Sequence, residues 1–178
     1  MKIQPTSVNG VYVVEIEPIG DDRGFFARTF CVKEFIDAGI NMSIVQQNMS
    51  LSKIKGTLRG LHYQRAPHAE DKYIHCKSGA IFDVAVDIDP QSSTYLKWFG
   101  IELSADNRKG LFISNNCAHG YQVLTDAAEV SYSSSEFYHP ESEGGLRYDD
   151  PTIGIEWPVA VTELSSKDTS WPYLQDSK

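Results

Sequence analysis

The chain has 178 residues, 16 Lys and Arg against 24 Asp and Glu, a formal net charge of −8, and 41% hydrophobic residues. That length suits a single domain, expected to run over residues 1–178, and suffices for a core without disulfide or metal staples. The acidic balance argues against a nucleic-acid backbone as the main partner, no apolar run approaches the roughly 20 residues of a membrane span, and residues 1–10 lack the apolar stretch of a signal peptide.

Alternation over residues 10–18 predicts a strand, and residues 25–30 a second. Residues 33–39 predict a short helix with Phe35 and Ile36 on its buried face and Gly39 as its stop. Further strands are expected at 45–51, 72–76, 80–88, 95–103, 110–114, 120–124 and 128–138, with turn residues such as Asp89-Pro90 and Asp106-Asn107 between them. Beyond Pro158 the chain is polar and is expected to be irregular or briefly helical. Many short strands at regular spacing indicate an all-β fold, a sandwich or barrel of the jelly-roll kind. Within 80–88, Phe82, Val84, Val86 and Ile88 share one face and Ile81, Asp83, Ala85 and Asp87 the other. The carboxylate face is either a solvated outer surface or the acidic lining of a barrel mouth.

Cys31, Cys76 and Cys117 are odd in number and form no CxxC pair, which predicts free thiols in a reducing cytoplasm. The nearness of Cys117 to His119 leaves a cysteine nucleophile as the lesser reading.

The densest polar cluster is Arg59-Gly60-Leu61-His62-Tyr63-Gln64. If it is extended, Arg59, Leu61 and Tyr63 lie on one face and Gly60, His62 and Gln64 on the other. Lys72 follows at the start of a strand, His119 stands ahead of another, and Tyr132 and Tyr138 would turn the same way along a regular strand. Each has an ordinary structural account, as a satisfied histidine, a surface lysine or a half-buried aromatic face, and Asp168 in the polar tail is ordinarily solvated. Their combination is what points to chemistry. A metal centre in a barrel of this kind would want His-x-His followed by a carboxylate. Here Gln64 takes the second histidine's place and Lys72 stands where the carboxylate belongs, so no metal is expected there.

Together these segments resemble the dTDP-4-dehydrorhamnose 3,5-epimerase family of cupin-type nucleotide-sugar epimerases. The resemblance runs nearly end to end. It rests on Asp22-Arg23-Gly24-Phe25-Phe26, Gln47-Asn48, Leu58 through Gln64, Lys72, Asp83-Val84-Ala85-Val86-Asp87, Leu103-Ser104, Ala118-His119-Gly120, Tyr132, Tyr138, Asp149-Asp150-Pro151, Ile155-Glu156-Trp157-Pro158 and Ser166-Lys167-Asp168. It implies a cupin-like jelly-roll barrel with a few short helices. The implied activity is a cofactor-free epimerase inverting C3 and/or C5 of a nucleotide-diphospho-4-keto-6-deoxy sugar, most often dTDP-linked, through an enolate.

By the same resemblance His62 is the base, supported by Asp168, Lys72 is the cation for the enolate oxygen, and Tyr132 is the acid on the opposite face. His119 holds the sugar or the enolate oxygen, and Asp83 tunes Lys72 or His119. Arg23 and Arg59 suit the diphosphate, Phe26 and Tyr138 stack the base, and Gln47 and Lys167 complete the substrate contacts. A homodimer is implied, with Arg23 and Phe26 reaching the site from the partner's N-terminal strand, in the cytoplasm and with no nucleic-acid or membrane partner. A non-catalytic nucleotide-sugar-binding cupin is expected to lack His62, Lys72 or Tyr132, and the chain keeps all three. A single-site epimerase acting on a CDP- or GDP-linked sugar is the other alternative. Arg28 stands where the family usually has Glu. Two residues beyond Phe26, it is expected on the same strand face, where it would donate to acceptors on a base edge such as cytosine; pairing with a surface carboxylate is the plainer account.

Overall fold

Short alternating segments broken by turn residues fold into strands that must find partners far along the chain. The computed structural model describes residues 1–176, and among them thirteen strands pair into two large antiparallel sheets and one small hairpin. The strands are β1 (Lys2–Pro5), β2 (Val11–Glu15), β3 (Ile19–Asp21), β4 (Gly24–Phe26), β5 (Gln46–Ser52), β6 (Leu58–Gln64), β7 (Lys72–Ser78), β8 (Ala80–Asp87), β9 (Trp98–Ser104), β10 (Lys109–Ile113), β11 (Cys117–Val123), β12 (Ala128–Ser134) and β13 (Glu143–Gly145). Two short helices, α1 (Val32–Asp37) and α2 (Ser166–Ser170), complete the fold. One sheet has the order β1-β2-β10-β7-β12-β5 and the other β13-β6-β11-β8-β9. This interleaving of strands distant in sequence is the expected jelly roll.

The main core lies between the sheets. Val11, Ile74, Leu111, Ile113 and Val130 of the first meet Ile81, Ala85, Leu103, Tyr121 and Val123 of the second. Both sheets are also covered on their outer faces. Phe35 of α1, with Ile40 and Met42, packs on Val14, Tyr73 and Phe112. Leu146, Ile153 and Trp157 from the C-terminal coil pack on Leu61, Val84, Val86 and Ala118. At about 25 cal/mol per Å² of apolar surface removed from water, these outer layers stabilise the fold as the central core does.

This double covering decides the β8 question. The apolar row Phe82, Val84 and Val86 faces outward beneath the coil, while Ile81, Asp83, Ala85 and Asp87 face the barrel interior. The solvated-surface account is therefore overturned, since Asp83 and Asp87 are fully buried. Asp87 sits at the far end, accepting from the Ser92 and Thr94 hydroxyls and the Asp89 amide, so it anchors a turn.

Other departures have local causes. Ile36 is 54% exposed, because successive helical residues are about 100° apart and only Phe35 reaches the sheet. The second strand ends at Phe26, and the fourth residue past its turn, Ala27, begins a coil. The strand expected to reach Tyr138 ends at Ser134, and the strand expected to start at Gly120 starts at Cys117, so His119 lies within it. All three cysteines are free, as expected. Burial pushes the Cys117 thiol up to about 12, which removes the cysteine-nucleophile reading.

Candidate active site

The two sheets line one cavity of about 530 Å³, with Arg59, His62, Lys72, His119, Tyr132, Lys167 and Asp168 together with Ser50, Tyr121 and Glu163 in its wall. Their placement follows from strand register. His62 on β6 and His119 on β11 are direct cross-strand partners. On the opposite sheet Tyr132 pairs with Ile74, and Ser134 with Lys72. Lys72 and Tyr132 are thus diagonal neighbours on the inward face that Ile74 identifies.

Arg59 and His62 are three apart, and a regular strand would set them on opposite faces, as the sequence suggested. The structure places both on the cavity because the register slips: Tyr121 opposes Arg59 while His119 opposes His62, so three steps on β6 match two on β11. Gly60 makes this bulge possible. It adopts φ +123°, and a Cβ there would lie 2.5 Å from Gly120 Cα and 2.7 Å from the His119 carbonyl oxygen. Leu61 and Tyr63 point away into the outer apolar layer.

His62 Nε2 lies 2.5 Å from Asp168 Oδ1. The carboxylate can only accept, so Nε2 carries the hydrogen and the lone pair remains on Nδ1. Asp168 is brought there by α2: Ser165 caps the helix, its Oγ accepting from the Asp168 amide at 3.0 Å. An acidic side chain three residues past a serine cap often turns back to the cap, but this one turns to His62. Burial alone would raise the Asp168 carboxyl. The His62 hydrogen bond and charge, helped by Ser165 and the Gly60 amide, hold it below the usual carboxylate range.

His119 repeats the pattern one strand over, with Nε2 2.7 Å from Asp83 Oδ1. Lys72 Nζ lies 3.1 Å from Glu70 Oε1, both largely buried. Burial, then the charges of Glu70 and Tyr121, pushes the Tyr132 hydroxyl above its usual value, so it keeps its proton at neutral pH. Lys167 Nζ meets Glu143 Oε1 at 2.6 Å, and Arg59 Nε donates to Ser52 Oγ at 3.1 Å. A base held by a carboxylate on one sheet faces a protonated phenol and an ammonium on the other. Such a set can remove a proton from one side of a flat intermediate and return one to the other.

A family model described as dTDP-4-dehydrorhamnose 3,5-epimerase matches residues 5–176. The chain belongs to the dTDP-4-dehydrorhamnose 3,5-epimerase family. The Escherichia coli (strain K12) enzyme of that name is 46% identical over 170 residues, 94% of this chain and 91% of that one. Among solved structures, the Legionella pneumophila dTDP-6-deoxy-D-glucose-3,5-epimerase in complex with dTDP-4-keto-L-rhamnose is 39% identical, covers 98% of this chain and 93% of its own, and has a TM-score of 0.91. The Elizabethkingia anophelis dTDP-4-dehydrorhamnose 3,5-epimerase is 37% identical with a TM-score of 0.95, covering 99% of this chain and 97% of its own.

Five residues expected from the epimerase resemblance stand outside this cavity. Arg23 is exposed and bonded to Asp21, and Phe26 is 73% exposed on the small hairpin. Arg28 lies past the end of β4 instead of on its face, and its Nη1 pairs with Glu34 Oε1 at 2.8 Å, the plainer of the two accounts. Gln47 points outward from β5, its Nε2 donating to Ser133 Oγ at 3.1 Å. Tyr138 lies in the coil after β12, its hydroxyl 3.4 Å from Glu143 Oε2.

The sequence reading missed Ser50, Tyr121, Glu70 and Glu143. Ser50 Oγ and the Tyr121 hydroxyl are 2.8 Å apart in the cavity lining. Tyr121, two residues past His119 on one strand, could have been found from parity alone. Glu70 and Glu143 carried no such signal.

Proposed function

We propose that this chain inverts C3 and C5 of dTDP-linked 4-keto-6-deoxyglucose by way of an enolate, with the site residues acting as follows. One observation carries the reading: the His62–Asp168 pair on one sheet faces Tyr132 and Lys72 on the other across a single cavity.

A C–H bond beside a ketone is acidic because the carbanion delocalises onto the carbonyl oxygen. His62 Nδ1 takes that proton, and Asp168 stabilises the imidazolium formed. The Lys72 ammonium meets the charge developing on the C4 oxygen, and His119, held by Asp83, supports the same end of the sugar. Tyr132 gives its proton to the opposite face of the planar enolate, which inverts the carbon. The imidazolium and phenolate then exchange protons with solvent through the cavity mouth. C3 and C5 flank one ketone, so one oxygen-stabilising group serves both. Base and acid each contribute about 10²–10⁴-fold.

Arg59 and Lys167 flank the cavity where a diphosphate would meet them. Ile19, Phe25 and Phe26 on the hairpin and Met49 and Leu51 on the edge strand β5 are exposed apolar side chains that a second copy would cover. In that homodimer, Arg23 of the partner subunit and Phe26 of the partner subunit reach the nucleotide end. The free thiols fit a reducing compartment such as the cytoplasm, and no helix among the described residues is long and apolar enough to cross a membrane.

The test is NMR of the dTDP-linked 4-keto-6-deoxy sugar in D₂O. His62→Ala is expected to lose both deuterium uptake and inversion, while Tyr132→Phe keeps uptake from the starting face and loses inversion. Inversion by Tyr132→Phe at the wild-type rate overturns its role. Exchange at one carbon only replaces the double epimerisation by a single one. A monomer by light scattering at micromolar concentration overturns the shared site.

A further inference from the structure

Away from the barrel cavity, two loops meet at a second cluster of ligating side chains. His68, between β6 and β7, and His139, between β12 and β13, stack their imidazoles with centroids 3.5 Å apart and 24° between planes. His139 Nδ1 lies 3.0 Å from Glu141 Oε1. One ligand atom from each of His68, His139 and Glu141 lies within 4.8 Å of the others. None of the three lines the cavity described above.

The backbone beneath this cluster is fixed by the fold. Gln64, 4% exposed, accepts from the His139 amide at 2.6 Å and donates to the carbonyls of His68 and Phe137, each at 3.0 Å. The Arg65 amide donates to the Ser142 carbonyl at 2.7 Å, tying the same two loops a second time. The imidazoles are therefore held together by a scaffold that spends a buried amide side chain on their placement.

Around one Zn²⁺ ion, His nitrogens sit at about 2.0–2.1 Å and carboxylate oxygens at about 2.0–2.2 Å, which sets ligand atoms roughly 3–4 Å apart. The three ligand atoms start within 4.8 Å of one another, and binding one ion requires the two rings to unstack, because near-parallel imidazoles 3.5 Å apart cannot both direct an in-plane lone pair at it. Two imidazoles and one carboxylate favour Zn²⁺ or Cu²⁺ over the hard cations Mg²⁺ and Ca²⁺. We propose that His68, His139 and Glu141 form a surface site for a divalent transition-metal ion that staples the β6–β7 loop to the β12–β13 loop.

The staple borders the epimerase site through its chain neighbours. Glu70, two residues past His68, meets Lys72, and Glu143, two residues past Glu141, meets Lys167. The ion has no step in the proton transfers, so this is a different place and a different role from the barrel metal excluded on sequence grounds.

The test uses the untagged full-length protein in a Cys31→Ser background, stripped with EDTA and then titrated calorimetrically with Zn²⁺. One equivalent of Cu²⁺ followed by EPR reads the ligands directly. The expected result is one ion per chain and nitrogen hyperfine structure from two imidazoles. His68→Ala and His139→Ala, checked as folded by circular dichroism, are each expected to weaken Zn²⁺ binding at least tenfold and leave one imidazole nitrogen in the Cu²⁺ spectrum. His68→Gln, which keeps the side chain's bulk, gives the same loss. No Zn²⁺ binding, or an affinity and Cu²⁺ spectrum unchanged in both alanine variants, overturns the proposal.

Discussion

Replacing Asp168 by Asn tests the proposed base and its carboxylate without changing their shape. The wild-type carboxylate is buried, accepts from His62 at 2.5 Å, and is also supported by Ser165 and the Gly60 amide. An asparagine has two ways to sit there. With its oxygen toward His62 Nε2–H, the tautomer survives, but a charge-assisted bond of about 1.5–3 kcal/mol becomes a neutral one of about 0.5–1.5 kcal/mol. The asparagine NH₂ then faces groups that are themselves donors, at a cost of about 1–3 kcal/mol in stability. With its NH₂ toward His62, the imidazole must carry its hydrogen on Nδ1, and the base is lost. The first arrangement predicts a roughly 5- to 30-fold loss of kcat, and the second approaches the full 10²–10⁴-fold of a general base. The assay is kcat per folded molecule, with the folded fraction from circular dichroism. A variant with wild-type kcat would refute the reasoning.

The same carboxyl predicts a stability signature. Its folded value lies below the ordinary 3.8, so its contribution is present above about pH 4 and is lost as pH falls through the folded value; urea unfolding at pH 3 and pH 6 should differ less in Asp168→Asn than in wild type. Burial, and after it the Glu70 charge, raise the Tyr132 hydroxyl, so Glu70→Gln should move the basic limb of kcat/KM to lower pH, read from the pH profile. Gly60→Ala forces a Cβ onto the Gly120 backbone at φ +123° and should cost at least about 3 kcal/mol in urea unfolding. Iodoacetamide at pH 8 should label Cys31 in the native protein and spare Cys76 and Cys117, whose thiols burial pushes to about 11 and about 12, as mass spectrometry of the peptides will read.

The all-β class was legible because jelly-roll strands are short, alternating and separated by turn residues, and those are local signals. What was not local was which side of a strand is inside. On β8, alternation separates Phe82, Val84 and Val86 from Asp83 and Asp87, and the usual inference sends the apolar row to the core. Here the apolar row meets Leu146, Ile153 and Trp157, residues 60 or more positions away, and the carboxylate row faces the barrel interior, where Asp83 reaches His119. A sheet covered on both faces carries no sequence mark of which covering is the tail. β1 and β13 were missed for a related reason: four and three residues long, they exist because a neighbouring strand offers them a ladder.

The site divides along the same line. His62, Lys72, His119 and Tyr132 were legible because each is a titratable group on a strong strand, and register alone brings them together. Arg59 is the instructive case. Parity put it on the face opposite His62, and parity was right for every regular step of β6. One glycine with a positive φ inserts the extra residue that turns the guanidinium back toward the cavity. The bulge therefore does two jobs with one backbone distortion. It turns Arg59 into the cavity beside His62, and it places the Gly60 amide against Asp168, so the carboxylate that holds the base is itself supported from the same irregularity. A side chain larger than hydrogen at position 60 would disturb Arg59 and Asp168 together.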